Sequence, residues 1–242
     1  MNLNAFLSRN GFCSRRKAAV IIKEGSVTVN GRTVAEPWYQ VKDHDIVKAG
    51  GKPVGAKRHV YIVMNKPKGV TSTLEDRFAL KKITDLIPQK FGRVYPVGRL
   101  DRESRGLIIL TSDGDLCHRL THPRFEVEKE YVVTVKGKVD EPIVRKLKKG
   151  VKEHDEVLKV KTARVEKCSE DKSVVRVVIC EGKKRHLRRL FTFLGLDVKD
   201  LVRVRIAGLR LGELRDGKFI VFDKKEIVSL LGMKNPDEPP LS

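Results

Sequence analysis

Between Lys48 and Arg58 the chain reads KAGGKPVGAKR, a stretch rich in glycine, lysine and proline. Such a composition breaks both helix and strand patterns and reads as a connecting segment. It divides the 242 residues into a short unit, residues 1–58, and a longer one, residues 59–233. The remaining nine residues, KNPDEPPLS at 234–242, have the composition of a disordered tail. With 40% hydrophobic residues the chain has enough apolar surface for packed cores.

In the short unit Leu3, Phe6 and Leu7 have helical spacing, and the pattern breaks at Asn10-Gly11. Ser14 is placed to cap a second helix whose apolar stripe is Ala18, Ile21 and Ile22, with Gly25 as the stop. Val27–Val29 and Arg32–Val34 flank Asn30-Gly31, a hairpin signal. The second helix opens on Arg15-Arg16-Lys17, although a helix N-terminus favours acidic side chains. A charge run is commonly just a solvated face. Three cations at that end also make a seat for phosphate. The whole stretch LNAFLSRNGFCSRRKAAVIIKEGSVTVNGRTV resembles the S4-type RNA-binding domain, a compact module of two helices and a hairpin. The resemblance implies RNA contacts from Ser14, Arg15, Arg16 and Lys17, with Lys23 and Asn30 nearby.

In the longer unit, strand-like runs at Val60–Met64, Leu107–Leu110, Tyr131–Val135, Val160–Val165, Val174–Ile179 and Phe219–Phe222 are interspersed with helical runs. The helices are expected at Asp115–Leu120, Pro142–Lys149, Arg185–Leu194 and Lys225–Leu231. No regular strand–helix alternation points to a doubly wound parallel sheet, so mixed α+β is the better class.

Lys and Arg number 51 against 31 Asp and Glu, a formal charge of +20, which favours a polyanionic partner. No run is apolar and long enough to span a membrane, and no amphipathic anchor stands out. The N-terminus has no signal-peptide pattern, and Cys13, Cys117, Cys168 and Cys180 are scattered, as suits reduced thiols in the cytoplasm. His118 and His122 lack a third ligand nearby and read as structural or RNA-facing, so no metal site is expected.

Chemistry concentrates in GRLDRESRGL, residues 98–107. Asp101 stands between Arg99 and Arg102, and neighbouring cations favour the charged form of a carboxylate. A salt-bridged turn is the commoner fate of such a residue, and a nucleophile or base is the functional alternative. Downstream, EGKKRHLRRLFTFLG puts Leu187, Leu190, Phe191 and Leu194 on one helical face and Arg185, Arg188, Arg189 and Thr192 on the other. That spacing predicts a docked helix holding its arginines outward as a block.

Taken in order, YIVMNKPKGVTST, GRLDRESRGLIILTSDGDL, EKEYVVTVKG and EGKKRHLRRLFTFLG resemble the bacterial ribosomal RNA pseudouridine synthases of the RsuA/RluB type. The resemblance implies an N-terminal S4-like domain joined to a catalytic domain with a mixed, largely antiparallel sheet. It places the family's aspartate on Asp101, its aromatic partner on Tyr131 and its basic partner on Arg188. Arg99 falls on a base-displacing position, Lys66 on an active-site support, and Arg185 and Arg189 on the RNA side. Family members usually carry glutamine where this chain has His186. The implied reaction isomerises a uridine of ribosomal RNA, free or in a pre-ribosomal particle, with no cofactor and with one chain sufficing. THPRFEVEKEYVV leans toward the large-subunit (23S) members, with the small-subunit (16S) type as the alternative. A ribosome-assembly factor without catalysis is the non-enzymatic alternative. A DNA-binding role has neither zipper nor zinc finger behind it.

Overall fold

A computed structural model describes residues 1–55, 59–73, 81–153 and 155–233, so the end of the expected linker and the expected tail fall outside the described residues. The chain forms two compact units. The first comprises Met1–His59 with Gln89–Arg93 and Ser112–Gly114. The second comprises the rest.

In the first unit, helices α1 (Leu3–Arg9) and α2 (Arg15–Lys23) pack on a four-stranded antiparallel sheet. Leu3, Leu7, Ala18 and Ile22 meet Val27, Val29, Val47 and Ala49 in one apolar core. The Ser14 hydroxyl accepts a hydrogen bond from the Lys17 N–H at 3.1 Å and caps α2, as its sequence position requires. Val29 pairs with Arg32 across Asn30 (φ 52°) and Gly31 (φ 82°), the two left-handed residues that a tight hairpin of this hand needs. The stretch read as a linker is in part something else. Val47–Ala49 and Lys52–Pro53 form a second hairpin turning at Gly50-Gly51, and Val47–Ala49 pairs with Val27–Val29. The glycines mark a turn within the sheet rather than an exit from it.

The second unit is built on a mixed sheet, with α3 (Gly114–Thr121), α4 (Glu141–Lys149), α5 (His186–Phe193) and α6 (Lys224–Leu230) around it. Its strands run in the order Thr162–Cys168, Lys172–Ile179, Lys129–Lys136, Asp197–Ile206, Arg105–Thr111, Tyr61–Lys66 and Phe219–Phe222. Neighbours are antiparallel except Asp197–Ile206 with Arg105–Thr111, which gives the α+β, largely antiparallel class. All four expected helices are present, with ends shifted by about a residue. Strand Asp197–Ile206, the ten residues DVKDLVRVRI, was not expected, yet it joins the two halves of the sheet. Tyr61, Val63, Leu107 and Ile109 pack against Leu116 and Leu120 of α3 and Ile227 of α6.

Gly106 fixes the exit of the aspartate loop. Its φ is +105°, and a Cβ there would lie 2.3 Å from the Arg203 carbonyl oxygen and 2.7 Å from the Arg203 nitrogen. Only glycine lets these two strands approach so closely.

Candidate active site

The loop carrying Asp101 is held by its backbone. Every carbonyl from Leu100 to Ser104 accepts a hydrogen bond. Leu100 O takes the Ser72 hydroxyl at 3.0 Å, Asp101 O the Ser104 N–H at 3.0 Å, and Arg102 O the Gly69 N–H at 2.9 Å. Glu103 O takes Arg188 Nη2 at 2.9 Å, and Ser104 O takes Lys66 Nζ at 2.7 Å. Lys66 is fully buried and also donates to Pro67 O at 2.9 Å. Burial lowers its pKa to about 8, while Glu103 and Asp101 work against that shift. Its role here is to clamp carbonyls.

With the backbone so engaged, the half-buried Asp101 side chain forms no ion pair among the described residues. It lines an open cleft together with Arg99, Tyr131, Arg185 and His186. Tyr131 is 7% exposed. It is the third residue of its strand rather than the first, opposite Arg203 on one side and Val177 on the other. Arg99 is exposed at the cleft. Arg102 is also exposed and lies 3.8 Å from Glu103.

The arginines of α5 do not form the expected outward block. Arg185 precedes the helix in a left-handed conformation (φ 52°) and reaches the cleft. Arg188 turns to the aspartate loop and donates to Glu103 O, to Ser104 Oγ at 3.5 Å and to Val198 O at 3.3 Å. Its Nε is buried without a hydrogen-bond partner, and the expected Asp101–Arg188 ion pair is not formed because carbonyls hold the rest of the guanidinium. Arg189 pairs with Glu153 at 2.5 Å and Glu156 at 2.7 Å, on the ribbon formed by Val151–Glu153 and Glu156–Leu158. His186 is buried, with Nε2 3.1 Å from Lys159 O and Nδ1 3.8 Å from Glu181. Burial lowers its pKa, so the neutral ring donates from Nε2 to that carbonyl.

In the first unit Arg15, Arg16 and Lys17 are exposed, and no acidic residue shares the first turn of α2. Lys23 is exposed in the last turn. The Asn30 amide is engaged within the fold, donating to Asp45 at 2.8 Å and accepting from the Ile46 N–H at 2.9 Å. Gly69, Ser72 and Ser104 were not singled out from sequence. Their pattern carries no signal, since two of them act through backbone groups and the third through a short hydroxyl.

This arrangement of sheet and loop has known counterparts. Residues 60–192 match the RNA pseudouridylate synthase family, and residues 1–47 match the S4 domain. The chain is 37% identical over 232 residues to an RNA pseudouridine synthase of Aquifex aeolicus, covering 95% of this chain and 93% of the relative. It is 37% identical over 219 residues to ribosomal large subunit pseudouridine synthase B of Bacillus subtilis, covering 89% of each. To the dual-specificity RNA pseudouridine synthase RluF of Escherichia coli it is 38% identical over 226 residues, covering 89% of this chain and 75% of the relative. A crystal structure of a pseudouridylate synthase superposes with a TM-score of 0.66 at 27% identity, covering 95% of this chain and 99% of the other. The protein belongs to the RNA pseudouridylate synthase family and carries an S4 domain at its N-terminus.

Proposed function

We propose that this enzyme converts a uridine of large-subunit (23S) ribosomal RNA to pseudouridine, with Asp101 as the acting carboxylate. The observation that carries the reading is the immobilised loop that turns an unpaired Asp101 into the same cleft as Tyr131 and Arg99. The named target of the Bacillus subtilis relative supports the large subunit.

The reaction breaks the N1–C1′ bond and forms C5–C1′, while C5 loses a proton and N1 becomes an N–H. No atom or electron enters from outside the nucleotide. The base must leave its stack to react. An aromatic wall such as Tyr131 offsets about 1–3 kcal/mol of that displacement. Arg99, exposed at the cleft, fills the position the base vacates, and Arg185 meets the backbone there. Arg188 and Lys66 act through the loop, keeping Asp101 at the sugar and base. Residues 1–58 grip RNA through Ser14, Arg15, Arg16, Lys17 and Lys23, and residues 59–233 carry the chemistry. Every residue invoked comes from one copy, so a monomer suffices, and the ribosomal RNA substrate puts the reaction in the cytoplasm.

The test is Asp101→Asn, assayed by mapping pseudouridine in unmodified 23S and 16S transcripts. The wild type should modify the 23S transcript, and the variant should lose about a thousandfold or more in rate. Activity within tenfold of wild type would remove Asp101 from the mechanism. Modification confined to the 16S transcript would move the target to the small subunit.

A further inference from the structure

The segment after strand Lys172–Ile179 separates two depressions. Ile179, Gly182 and Lys183 line the cleft that holds Asp101, whereas Cys180 and Glu181 line a second, larger one. The two clefts thus share a wall a single strand of chain thick. The second is walled further by Pro123, Lys148, Lys159 and Lys161. Lys161 is paired with Glu128 at 2.9 Å, and Glu181 with Lys183 at 3.1 Å. Lys148 and Lys159 are exposed and have no carboxylate partner among the described residues. Glu126, also exposed, is the acid of this cleft without an ion pair among the described residues.

On the same turn as Pro123 lies an aromatic stack. The Arg124 guanidinium sits 4.5 Å from the centre of the Phe125 ring, and Phe125 stays 39% exposed. The His118 and His122 rings meet Phe125 edge-on at 5.6 and 6.2 Å. His122 Nδ1 accepts the Arg124 N–H at 3.3 Å, which fixes the turn. An exposed ring under a guanidinium, set in the chain between Pro123 and Glu126 of that cleft, has the chemistry that holds unpaired nucleotides. A duplex hides its base faces and fits such a stack poorly.

We propose that this second cleft and the Arg124–Phe125 stack take the single-stranded RNA flanking the target uridine. A base stacks on Phe125, and phosphates pass Lys148 and Lys159. The inference rests on the proposed function, because a uridine in the first cleft is what brings the flanking strand across the shared wall.

Phe125→Ala and the double variant Lys148→Gln/Lys159→Gln change exposed side chains, and an unaltered melting temperature verifies the fold. With the unmodified ribosomal RNA transcripts, Phe125→Ala should raise KM about tenfold while kcat holds within twofold. With a short oligouridylate, the lysine variant should lower the slope of log affinity against log salt by about 1.4, and Phe125→Ala should weaken binding without altering that slope. If the wild type forms pseudouridine and both variants match its KM, the inference falls and the proposed function stands. If the wild type modifies neither transcript, the proposed function falls and takes the placement beside a target uridine with it, while loss of oligouridylate affinity in the variants still supports single-stranded RNA at this cleft and equal affinity overturns it. Loss of self-association in sedimentation with unchanged RNA affinity would make this surface a protein contact and overturn the inference.

Discussion

Helices α2 and α5 both begin among cations, Ser14-Arg15-Arg16-Lys17 in one and Arg185-His186-Leu187-Arg188-Arg189 in the other, and the fold treats them in opposite ways. In α2 the cap is supplied locally by Ser14, and the three cations are exposed. In α5 no side chain caps the helix, and the cations are claimed by residues far away in the chain: Arg188 by Glu103 O, and Arg189 by Glu153 and Glu156. The first set acts as a field that salt screens. The second acts as a set of fasteners whose effect depends on geometry. A run of arginines at a helix start becomes one or the other according to whether distant acceptors reach it.

Removing a fastener next to the chemistry should have the largest effect. Arg188→Met leaves Glu103 O without its donor and frees the aspartate loop, and kcat should fall about 100-fold while RNA affinity changes little. A kcat within threefold of wild type would break the comparison. Next comes the field. Replacing Arg15, Arg16 and Lys17 together by Gln should weaken RNA binding about 10- to 100-fold at low salt and lower the salt slope by about 2 to 3. Turnover of saturating RNA should stay within twofold, and a fall in turnover without a fall in affinity would reverse the assignment of α2. Arg189→Gln should lower the melting temperature by only a few degrees, because its carboxylate partners are partly exposed.

A cation of a third kind answers to pH. Lys129 is half-buried with Val127 O as its acceptor at 3.0 Å, and its partial desolvation, with Arg203 nearby, lowers its pKa from 10.5 to about 8. Below about pH 8 the folded chain carries the full cost of that partly desolvated charge. Between about 8 and 10.5 the folded state has released a proton that the unfolded state still holds, so the cost is relieved as pH rises. Lys129→Met should therefore melt higher than wild type at pH 7, with the difference shrinking by pH 10. A difference that grows with pH would contradict the cause given for the shift.

Much of this was readable where one short window holds the whole signal. The Ser14 cap, the Asn30-Gly31 turn and the apolar stripe of α5 depend on neighbours within a few residues, and each formed where expected. The Gly50-Gly51 hairpin was misread because its strands are too short to show a period. Strand Asp197–Ile206 stayed hidden for another reason. Its register shifts between Val198 and Asp200 and again between Arg203 and Arg205, which disrupts the alternation of faces, and it buries Arg203 to 2% exposure. That arginine donates to Leu107 O at 2.7 Å, across a separation no local pattern encodes. At the site, motif order identified Asp101, Tyr131 and Arg99, which line one cleft. The carbonyl ties from Gly69, Ser72 and Lys66 depend on the folded path of the backbone, and the ribbon acids that claim Arg189 lie about thirty residues upstream.

The absence of a side chain at Gly106 has a consequence for the substrate. With that residue pressed against Arg203 and every carbonyl of the preceding loop already bonded, the protein has little slack with which to follow a nucleotide into a helix. The travel falls to the RNA. A uridine in a loop, a bulge or a weak pair makes that journey at low cost, and one in a firm stack does not. Selection among uridines is in this sense partly a measurement of RNA softness, taken against a rigid gauge.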